Sequence, residues 1–250
     1  MTSTHQDPRL PPPSVPVTDS AQAVQRREGE VHRGIRAVIF DLDGVIVSTD
    51  EYHYLGWKRL ADEEGIPFDR RDNERCRGVS RMESLEVVIE RSPRRYSDAQ
   101  KRAMADRKNR YYMQMLRERL SPASILPGAM AFMEALKARR IKLAIGSSSR
   151  NSPGILKSIG LADYFDATAD GNDISRSTPD PEVFLLAARR LGGAPEECLV
   201  VEDAEAGVSA ALAGGMKVLA VGSASGDPRA HFRAAALEGL DPTRLLQSSS

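Results

Sequence analysis

The sequence has few cysteines, no excess of either charge and no long apolar run. Its two cysteines, Cys76 and Cys198, are far apart in the chain. Cys198 lies in an apolar, strand-like run, where a buried free thiol is expected. This usage is typical of a reducing compartment and argues against a disulfide-bonded secreted domain.

Positive and negative side chains balance, with 35 Lys and Arg against 35 Asp and Glu. A chain without net charge has no overall field that attracts nucleic acid or an anionic membrane, so any phosphate site must be local. No apolar stretch approaches the roughly 18 residues of a membrane-spanning helix, and the first thirty residues lack the apolar middle of a signal peptide. We therefore expect a cytoplasmic protein that binds neither nucleic acid nor membrane.

The composition of the 250 residues changes along the chain. Residues 1–33 are rich in Pro, Ser, Gln and charged residues and have no periodic apolar face, which predicts a disordered N-terminal tail. Residues 49–121 carry amphipathic helical patterns, which predict an inserted helical domain. Segments 34–48 and 122–250 alternate strand-like and helical patterns. This alternation predicts an α/β core with a doubly wound, Rossmann-like parallel sheet.

The first apolar strand, in the run VIFDLDGVI at 38–46, ends in Asp41 and Asp43. Ligands of open α/β sheets bind just beyond the carboxyl ends of strands. Two carboxylates this close repel each other unless a cation lies between them, and Mg²⁺ prefers such oxygen ligands. The alternative is a strand that ends in a solvated turn, since Asp and Gly are common turn residues.

Two later loops carry groups that suit a phosphate held on a metal. In a parallel sheet, each strand delivers its following loop to the same edge. Glu202 and Asp203 follow another apolar strand and complete a carboxylate cluster with Asp41 and Asp43, which predicts a metal site. Loop 147–151 opens a helix, where hydroxyls and free amides bind anionic oxygens, although a plain capping loop is the alternative.

These motifs resemble, in order and spacing, the signatures of the haloacid dehalogenase superfamily. The match extends from Arg36 to Val221 and rests on DLDGV at 41–45, Ser147, TPDP at 178–181, and ED at 202–203 with AG at 206–207. Within the superfamily, the inserted helical segment resembles the cap domain of the β-phosphoglucomutase subfamily. That similarity is carried by Thr49, 51–53, 57–58, 77–81, 107–109 and 149–151.

The resemblance implies a reaction and a cofactor. Asp41 would be the nucleophile that carries the phosphoryl group as an aspartyl phosphate, and Asp43 the general acid and base. Mg²⁺ would be held by Asp41, the backbone carbonyl of Asp43 and Asp203, with support from Glu202. The subfamily interconverts β-glucose 1-phosphate and glucose 6-phosphate through a β-glucose 1,6-bisphosphate intermediate.

The resemblance also implies the contacts to a small-molecule sugar phosphate. Arg81 is suited to hold the distal phosphate, because a guanidinium binds phosphate through two parallel hydrogen bonds. The implied substrate-binding residues are Thr49, His53, Trp57, Gly78, Val79, Ser80, Arg81, Lys108, Ser147, Ser149, Arg150 and Asn151.

Three of these residues have a plain structural alternative. His53 would help to position and gate the acid and base, but a single helical histidine is commonly structural or exposed. For Trp57 we favour packing beside the site, against Tyr54 and Leu60, over direct contact. Lys108 matches a sugar-contacting lysine, whereas a charged residue on an amphipathic helix is ordinarily solvated.

The chain departs from the subfamily pattern at Thr178, where a lysine is normally found before the proline. Loss of a fixed cation from a phosphoryl-transfer site costs several kcal/mol. Arg176, or another cation, is the candidate replacement. Ala204 is also smaller than the hydroxyl residue of the pattern. A mutase, a sugar-phosphate phosphatase and a low-turnover sugar-phosphate-binding protein all stay open, and we expect a monomer.

Overall fold

The computed structural model describes residues 34–247, so the predicted disordered tail at 1–33 lies outside the described residues. The strands are β1 (Ala37–Phe40), β2 (Lys142–Gly146), β3 (Ala167–Ala169), β4 (Cys198–Glu202), β5 (Lys217–Ala220) and β6 (Phe232–Arg233). The α-helices are α1 (Asp50–Glu64), α2 (Arg70–Glu74), α3 (Arg81–Ile89), α4 (Asp98–Arg119), α5 (Ala129–Ala138), α6 (Ser152–Ser158), α7 (Glu182–Leu191), α8 (Glu205–Ala213) and α9 (Pro242–Gln247).

The strands form one parallel sheet of six strands in the order β3-β2-β1-β4-β5-β6. The chain winds outwards from β1 in both directions, so the predicted doubly wound α/β fold is confirmed. Phe40 at the end of β1 lies opposite Ile145 of β2 and Val201 of β4. The loops after these three strands therefore emerge side by side, at the switch point where such sheets bind ligands.

The central strand is apolar throughout because both faces of the sheet are covered. Val38 and Phe40 belong to the hydrophobic cluster on one face, which includes residues of α5 and α6. Ala37 and Ile39 point to the other face and pack in a cluster with residues of α7 and α8. The predicted burial of Cys198 as a free thiol is also confirmed.

The helices α1 to α4 lie between β1 and β2 in the chain and have a hydrophobic cluster of their own. Trp57 and Leu60 of α1 pack there with Leu85 of α3 and Met104 of α4. The inserted helical segment is therefore present, and its boundaries as a cap domain at 49–121 stay a prediction. Within residues 34–247, no helix has the combined length and apolar character needed to cross a bilayer.

The sequence pattern does not predict α2, β6 or α9. These elements are short: α2 has five residues, β6 has two, and α9 has six. A short element contains too few positions to show a periodic pattern. The strand expected around 165–168 begins two residues later, at Ala167.

Candidate active site

The turn after β1 places Asp41 and Asp43 at the edge of the sheet. The backbone N–H of Asp41 donates to the carbonyl of Val201 at 3.0 Å, so the hydrogen-bond ladder continues one residue past the strand. Gly44 has a φ of +87°, and a Cβ atom there would collide with the carboxylate of Asp203. A glycine is therefore required both for the turn and for the close approach of the Asp203 loop.

Asp41, Glu202 and Asp203 form a carboxylate cluster in which one oxygen of each side chain lies within 4.8 Å of the others. Burial raises the pKa of Asp41 well above its usual range, and the charge of Asp203 raises it further. Burial and the charge of Asp41 raise the pKa of Glu202 in the same way. Carboxylate oxygens that repel one another in a buried site fit Mg²⁺, which prefers hard oxygen ligands.

Asp43 is held from behind by Thr49. The backbone N–H of Thr49 donates to Oδ1 of Asp43 at 2.6 Å, and its hydroxyl donates to Oδ2. Burial, followed by the charge of Asp50, raises the pKa of Asp43 to about 7, although both hydrogen bonds from Thr49 oppose this rise. A carboxyl group with a pKa near neutrality can both donate and accept a proton, which is what a general acid and base requires.

Tyr112 lies behind Thr49 and is a functional candidate that the sequence reasoning missed. Its hydroxyl is 2.9 Å from the hydroxyl of Thr49, and both side chains are fully buried. Thr49 donates its only hydroxyl proton to Asp43, so Tyr112 must donate to Thr49. A tyrosine in an amphipathic helix gives no sequence signal for this role, because core packing explains it equally well.

His53 and Lys108 cover the other side of Asp43. Nε2 of His53 is 3.6 Å from Oδ2 of Asp43, and Nζ of Lys108 is 2.8 Å from Nδ1 of His53. Burial, then the charge of Lys108, lowers the pKa of His53 well below its usual value. Lys108 is 2% exposed, and its Nζ lies 4.7 Å from the ring centroid of Trp57. The alternative of a solvated Lys108 is therefore wrong.

Arg81, Lys108 and Arg150 form a cationic group, named here the cationic pole. Burial, followed by the charge of Arg81, lowers the pKa of Lys108 to about 7. Burial also lowers the pKa of Arg81, and the charge of Arg150 contributes in the same direction. The carboxylate of Asp106, 3.8 Å from Arg81, is largely exposed and compensates little of this charge. Cations that repel one another, one of them the buried Lys108, favour a bound anion.

The loop after β2 lies between the carboxylates and the cationic pole. Ser147 is buried and its hydroxyl hydrogen-bonds to Asp41. The hydroxyl of Ser149 accepts from the backbone N–H of Asn151, the residue before α6, at 3.2 Å, and the side chain of Asn151 does not cap the first turn of this helix. Arg150 donates through Nε to the carbonyl of Gly171 at 3.1 Å. The side-chain amide of Asn151 donates to Oδ1 of Asn109 in α4 at 2.9 Å.

The loop before α3 closes the site from the other side. Arg77 donates to Asp50 at 2.6 Å and to Asp203 at 2.5 Å. The hydroxyl of Thr178 donates to the carbonyl of Gly78. Ser80 caps α3, because its hydroxyl accepts from the backbone N–H of Glu83 at 3.2 Å.

The carboxylates and the cationic pole line one cavity of about 1090 Å³. This volume is at the upper end of what ligand sites occupy and leaves room for a sugar phosphate. The structure brings nearly the whole predicted set to its wall: Asp41, Asp43, His53, Trp57, Gly78, Val79, Ser80, Arg81, Lys108, Ser147, Ser149, Arg150, Asn151, Glu202 and Asp203. Thr49 is the exception, since it is fully buried behind Asp43.

The position of the missing lysine is occupied by a buried Thr178, 3% exposed. Arg176, the suggested replacement, lies in ion pairs with Asp180 at 3.2 Å and Glu182 at 3.6 Å. Its side chain is 70% exposed. The structure therefore does not bring Arg176 to the carboxylate cluster.

Comparisons with known proteins show which family the chain resembles. The profile of the haloacid dehalogenase-like hydrolase family matches residues 35–215. A β-phosphoglucomutase of Bacillus subtilis is 46% identical over 196 residues, which cover 78% of this chain and 85% of that protein. A phosphorylated carbohydrates phosphatase of Thermotoga maritima is 31% identical over 216 residues, covering 85% and 97%.

A solved structure shows the same architecture. The crystal structure of β-phosphoglucomutase from Clostridium difficile matches with a TM-score of 0.81 at 35% identity, and the match covers 86% of this chain and 97% of that one. Both the sequence and the fold thus point to one group of phosphoryl-transfer enzymes. The chain belongs to the haloacid dehalogenase superfamily and, within it, to the β-phosphoglucomutase subfamily.

Proposed function

We propose that this protein is a Mg²⁺-dependent β-phosphoglucomutase, which interconverts β-glucose 1-phosphate and glucose 6-phosphate. The observation that supports this activity is one cavity lined both by the carboxylate cluster, here named its carboxylate or transfer end, and by the cationic pole. A bisphosphate intermediate needs two phosphate positions at once, one for transfer and one for holding. The carboxylate end serves transfer, and Arg81, Lys108 and Arg150 hold the other phosphate.

The residues around the carboxylates suit a two-step transfer. The phosphorylated Asp41 passes its phosphoryl group to the 6-hydroxyl of β-glucose 1-phosphate, while Asp43 accepts the proton of that hydroxyl. The bisphosphate then turns over in the cavity. Asp41 attacks the phosphorus at position 1, the bond to the sugar oxygen breaks, and Asp43 returns its proton to that oxygen. Glucose 6-phosphate leaves, and Asp41 carries the phosphoryl group again.

Mg²⁺ would be held by Asp41, the backbone carbonyl of Asp43 and Asp203, with Glu202 in support, and when bound it neutralises charge on the transferring phosphoryl group. The side chains around Asp43 orient the carboxylate oxygens that accept and return the proton. Thr49 fixes both carboxylate oxygens of Asp43, and His53 is 3.6 Å from one of them. The remaining predicted contacts bind and orient the sugar.

Two alternatives have specific support. The relative of Thermotoga maritima is a phosphorylated carbohydrates phosphatase, and water would then replace the sugar hydroxyl as acceptor. A low-turnover sugar-phosphate-binding protein is favoured by Thr178, which stands where the resemblance implies a lysine. The intact Asp41, Asp43 and carboxylate cluster favour an enzyme over a binding protein.

One assay separates the candidates. Purified protein receives Mg²⁺, β-glucose 1-phosphate and a trace of β-glucose 1,6-bisphosphate, and both glucose 6-phosphate and free phosphate are followed. The mutase forms the isomer, a phosphatase releases phosphate, and a binding protein forms neither product. Release of phosphate without isomer would reject the proposed mutase.

Asp41→Asn tests the nucleophile in the same assay. We expect both products to fall to background, because a neutral amide cannot form the aspartyl phosphate. Circular dichroism serves as the control for folding. Removal of Mg²⁺ with a chelator is expected to stop the wild-type reaction and to restart it on re-addition. Unchanged turnover in Asp41→Asn would refute this mechanism.

For the cell, we propose a cytoplasmic monomer that acts on a small molecule. Both cysteines are free, which suits a reducing compartment. Among the described residues, the large hydrophobic side chains that are exposed are Met82 and Leu185, at 38% each. Light scattering on the purified protein tests the monomer directly.

A further inference from the structure

The transfer end of the cavity contains more carboxylates than the metal site needs. Asp41, Glu202 and Asp203 form the cluster, and Asp43 and Asp50 lie beside it. The charge of Asp50 acts on both Asp43 and Asp203. A phosphoryl group that arrives here adds further negative charge, so transfer requires a fixed cation in addition to a metal.

Neither residue of the third signature loop supplies that cation. Thr178 is uncharged, and its hydroxyl is engaged with the carbonyl of Gly78. Arg176 is among the residues that line the cavity, but its side chain is 70% exposed and pairs with Asp180 and Glu182. A cation must therefore come from another element.

Arg77 lies between the carboxylates of Asp50 and Asp203, at the transfer end of the cavity. Its guanidinium donates to Oδ2 of Asp203 at 2.5 Å and to Oδ2 of Asp50 at 2.6 Å. The side chain is 20% exposed, against 70% for Arg176. A planar guanidinium with several donors can bridge two carboxylates and still offer N–H groups to an anion. The bond to Oδ2 leaves Oδ1 of Asp203 for a metal.

The loop that carries Arg77 and Gly78 contacts the two positions at which this chain has smaller residues than the subfamily pattern. The carbonyl of Gly78 accepts from Thr178, where a lysine is expected. A Cβ atom built on Gly78 would lie 3.1 Å from Cβ of Ala204, where a hydroxyl residue is expected. Thr178 and Ala204 thus make room for the loop that carries Arg77.

We propose that Arg77 supplies the positive charge at the phosphoryl-transfer end of the cavity that Thr178 does not. The inference rests on the proposed function, since it concerns the same phosphoryl transfer. Arg77 acts through Asp203, and it reaches this carboxylate from the inserted helical segment. The compensating charge is therefore present when that segment contacts the core, as it does in this structure.

The test compares Arg77→Gln with the matched control Arg176→Gln. We expect Arg77→Gln to lower kcat by about 100-fold, the typical effect of losing one electrostatic donor, with KM changed less than about threefold. Arg176→Gln is expected to keep kcat within about twofold, because its charge is solvated and paired elsewhere. Equal effects of the two variants would overturn the proposal.

A second pair of variants separates charge from structure. In the Arg77→Gln background, Thr178→Lys is expected to restore kcat at least about tenfold, because it returns a cation to the same end of the cavity. Thr178→Lys alone is expected to bring no comparable gain. Arg77→Lys should retain more activity than Arg77→Gln. Absence of rescue, with both proteins folded by circular dichroism, would contradict the electrostatic role.

Mg²⁺ affinity measured by calorimetry gives a readout besides activity. Arg77 repels a cation at Asp203, so Arg77→Gln is expected to bind Mg²⁺ several-fold more tightly while it turns over more slowly. A purely structural role would not move affinity and rate in opposite directions. Tighter Mg²⁺ binding together with faster turnover would show that Arg77 is an inhibitory competitor of the metal, which overturns the proposal.

The proposal can fail independently of the mutase activity. If the wild type releases phosphate in place of forming the isomer, the same variants are compared by phosphate release, because both reactions pass through transfer to Asp41. If neither product forms, tetrafluoroaluminate with Mg²⁺ serves as a probe of the transferring group. Arg77→Gln should weaken its binding at least about tenfold, and equal binding to the wild type would refute the role of Arg77.

Discussion

Asp43 shows how much of an active residue's behaviour is set by side chains that do not line the cavity. Its carboxylate is fixed by Thr49, which is fixed in turn by Tyr112. Both supporting hydroxyl groups are buried, and each can direct its single proton to only one acceptor. The support therefore works as one unit of three groups.

Tyr112→Phe tests this unit, because phenylalanine keeps the ring, whose centroid lies 4.2 Å from that of His53 in a tilted arrangement, and removes only the hydroxyl. We expect the free energy of unfolding to fall by about 1–2 kcal/mol, since a buried hydroxyl of Thr49 loses its donor. A weaker bond from Thr49 also raises the pKa of Asp43, so the pH profile of kcat should move to higher pH.

The neighbouring Tyr111→Phe is the matched control. Tyr111 lies in α4, and its hydroxyl donates to the carboxylate of Glu63 in α1 at 2.8 and 2.9 Å, where both groups are solvent-exposed. We expect its stability within about 0.5 kcal/mol of the wild type and its pH profile unchanged. If the two variants behaved alike, the proposed support of Asp43 would be wrong.

Lys108 should take up a proton when a sugar phosphate binds. Its pKa in the free protein is about 7, lowered first by burial. Near pH 8, about one unit higher, the amine is mostly neutral, and a bound phosphate dianion raises its pKa by attraction. His53 has a pKa well below its usual value and stays neutral at this pH.

Calorimetric titration with glucose 6-phosphate in two buffers of different ionisation enthalpy measures this uptake. We expect the number of protons taken up to fall in Lys108→Met. An equal uptake in the two proteins would show that another group titrates and that Lys108 keeps its proton throughout.

At the scale of a single element, α8 is restricted by the loop that precedes it. A Cβ atom on Gly207 of α8 would collide with the carboxylate of Glu202, which is folded back onto the helix start. Oε2 of Glu202 accepts from the backbone N–H of Ala204 at 3.1 Å. The small residue at 207 therefore allows Glu202 to reach the carboxylate cluster and to bind the backbone of Ala204, the residue before α8, at once.

Gly207→Ala and Gly154→Ala form a matched pair of helix substitutions. Gly154 of α6 has open space around its missing side chain, so alanine should stabilise the protein by about 0.5–1 kcal/mol through helix propensity. Gly207→Ala should destabilise it by about 1–3 kcal/mol, because the overpacked side chain displaces Glu202. Urea denaturation measures both. Stabilisation by Gly207→Ala would contradict the packing described here.

At the scale of the whole molecule, contacts between the inserted helical segment and the sheet loops enclose the cavity. They include the pairs Arg77 with Asp203, Gly78 with Thr178, and Asn109 with Asn151. Such closure excludes water from a reactive aspartyl phosphate, and so favours transfer to the sugar over hydrolysis.

Asn109→Ala removes one of these contacts. We expect the ratio of free phosphate to glucose 6-phosphate to rise several-fold, because the less tightly closed site admits water. The control is Gln114→Ala. The side chain of Gln114 donates a hydrogen bond to Glu118 on the exposed face of the same helix, so this variant should leave the ratio unchanged. A ratio in Asn109→Ala equal to that of the wild type would remove this contact from the account of closure.

The sequence by itself determined the fold class and predicted most of the candidate residues that line the cavity. Apolar runs that end in Asp41, Ser147 and Glu202 predict buried parallel strands, and such strands deliver their loops to one edge. The register of β1 with β2 and β4 confirms this. These features were predictable because hydrophobic pattern and turn chemistry are local, and each is written in a few consecutive residues.

Only the tertiary structure decided the partners of these residues. Arg77 and Asp203 are 126 positions apart, and Tyr112 and Thr49 are 63 apart. The burial of Lys108, which lowers its pKa, depends likewise on residues of α1 and α3. No local pattern encodes which side chain of one segment meets which of another, because that choice depends on how the helices pack against the loops of the sheet. The charge balance of the site was therefore readable only after folding had placed Arg77 beside Asp203.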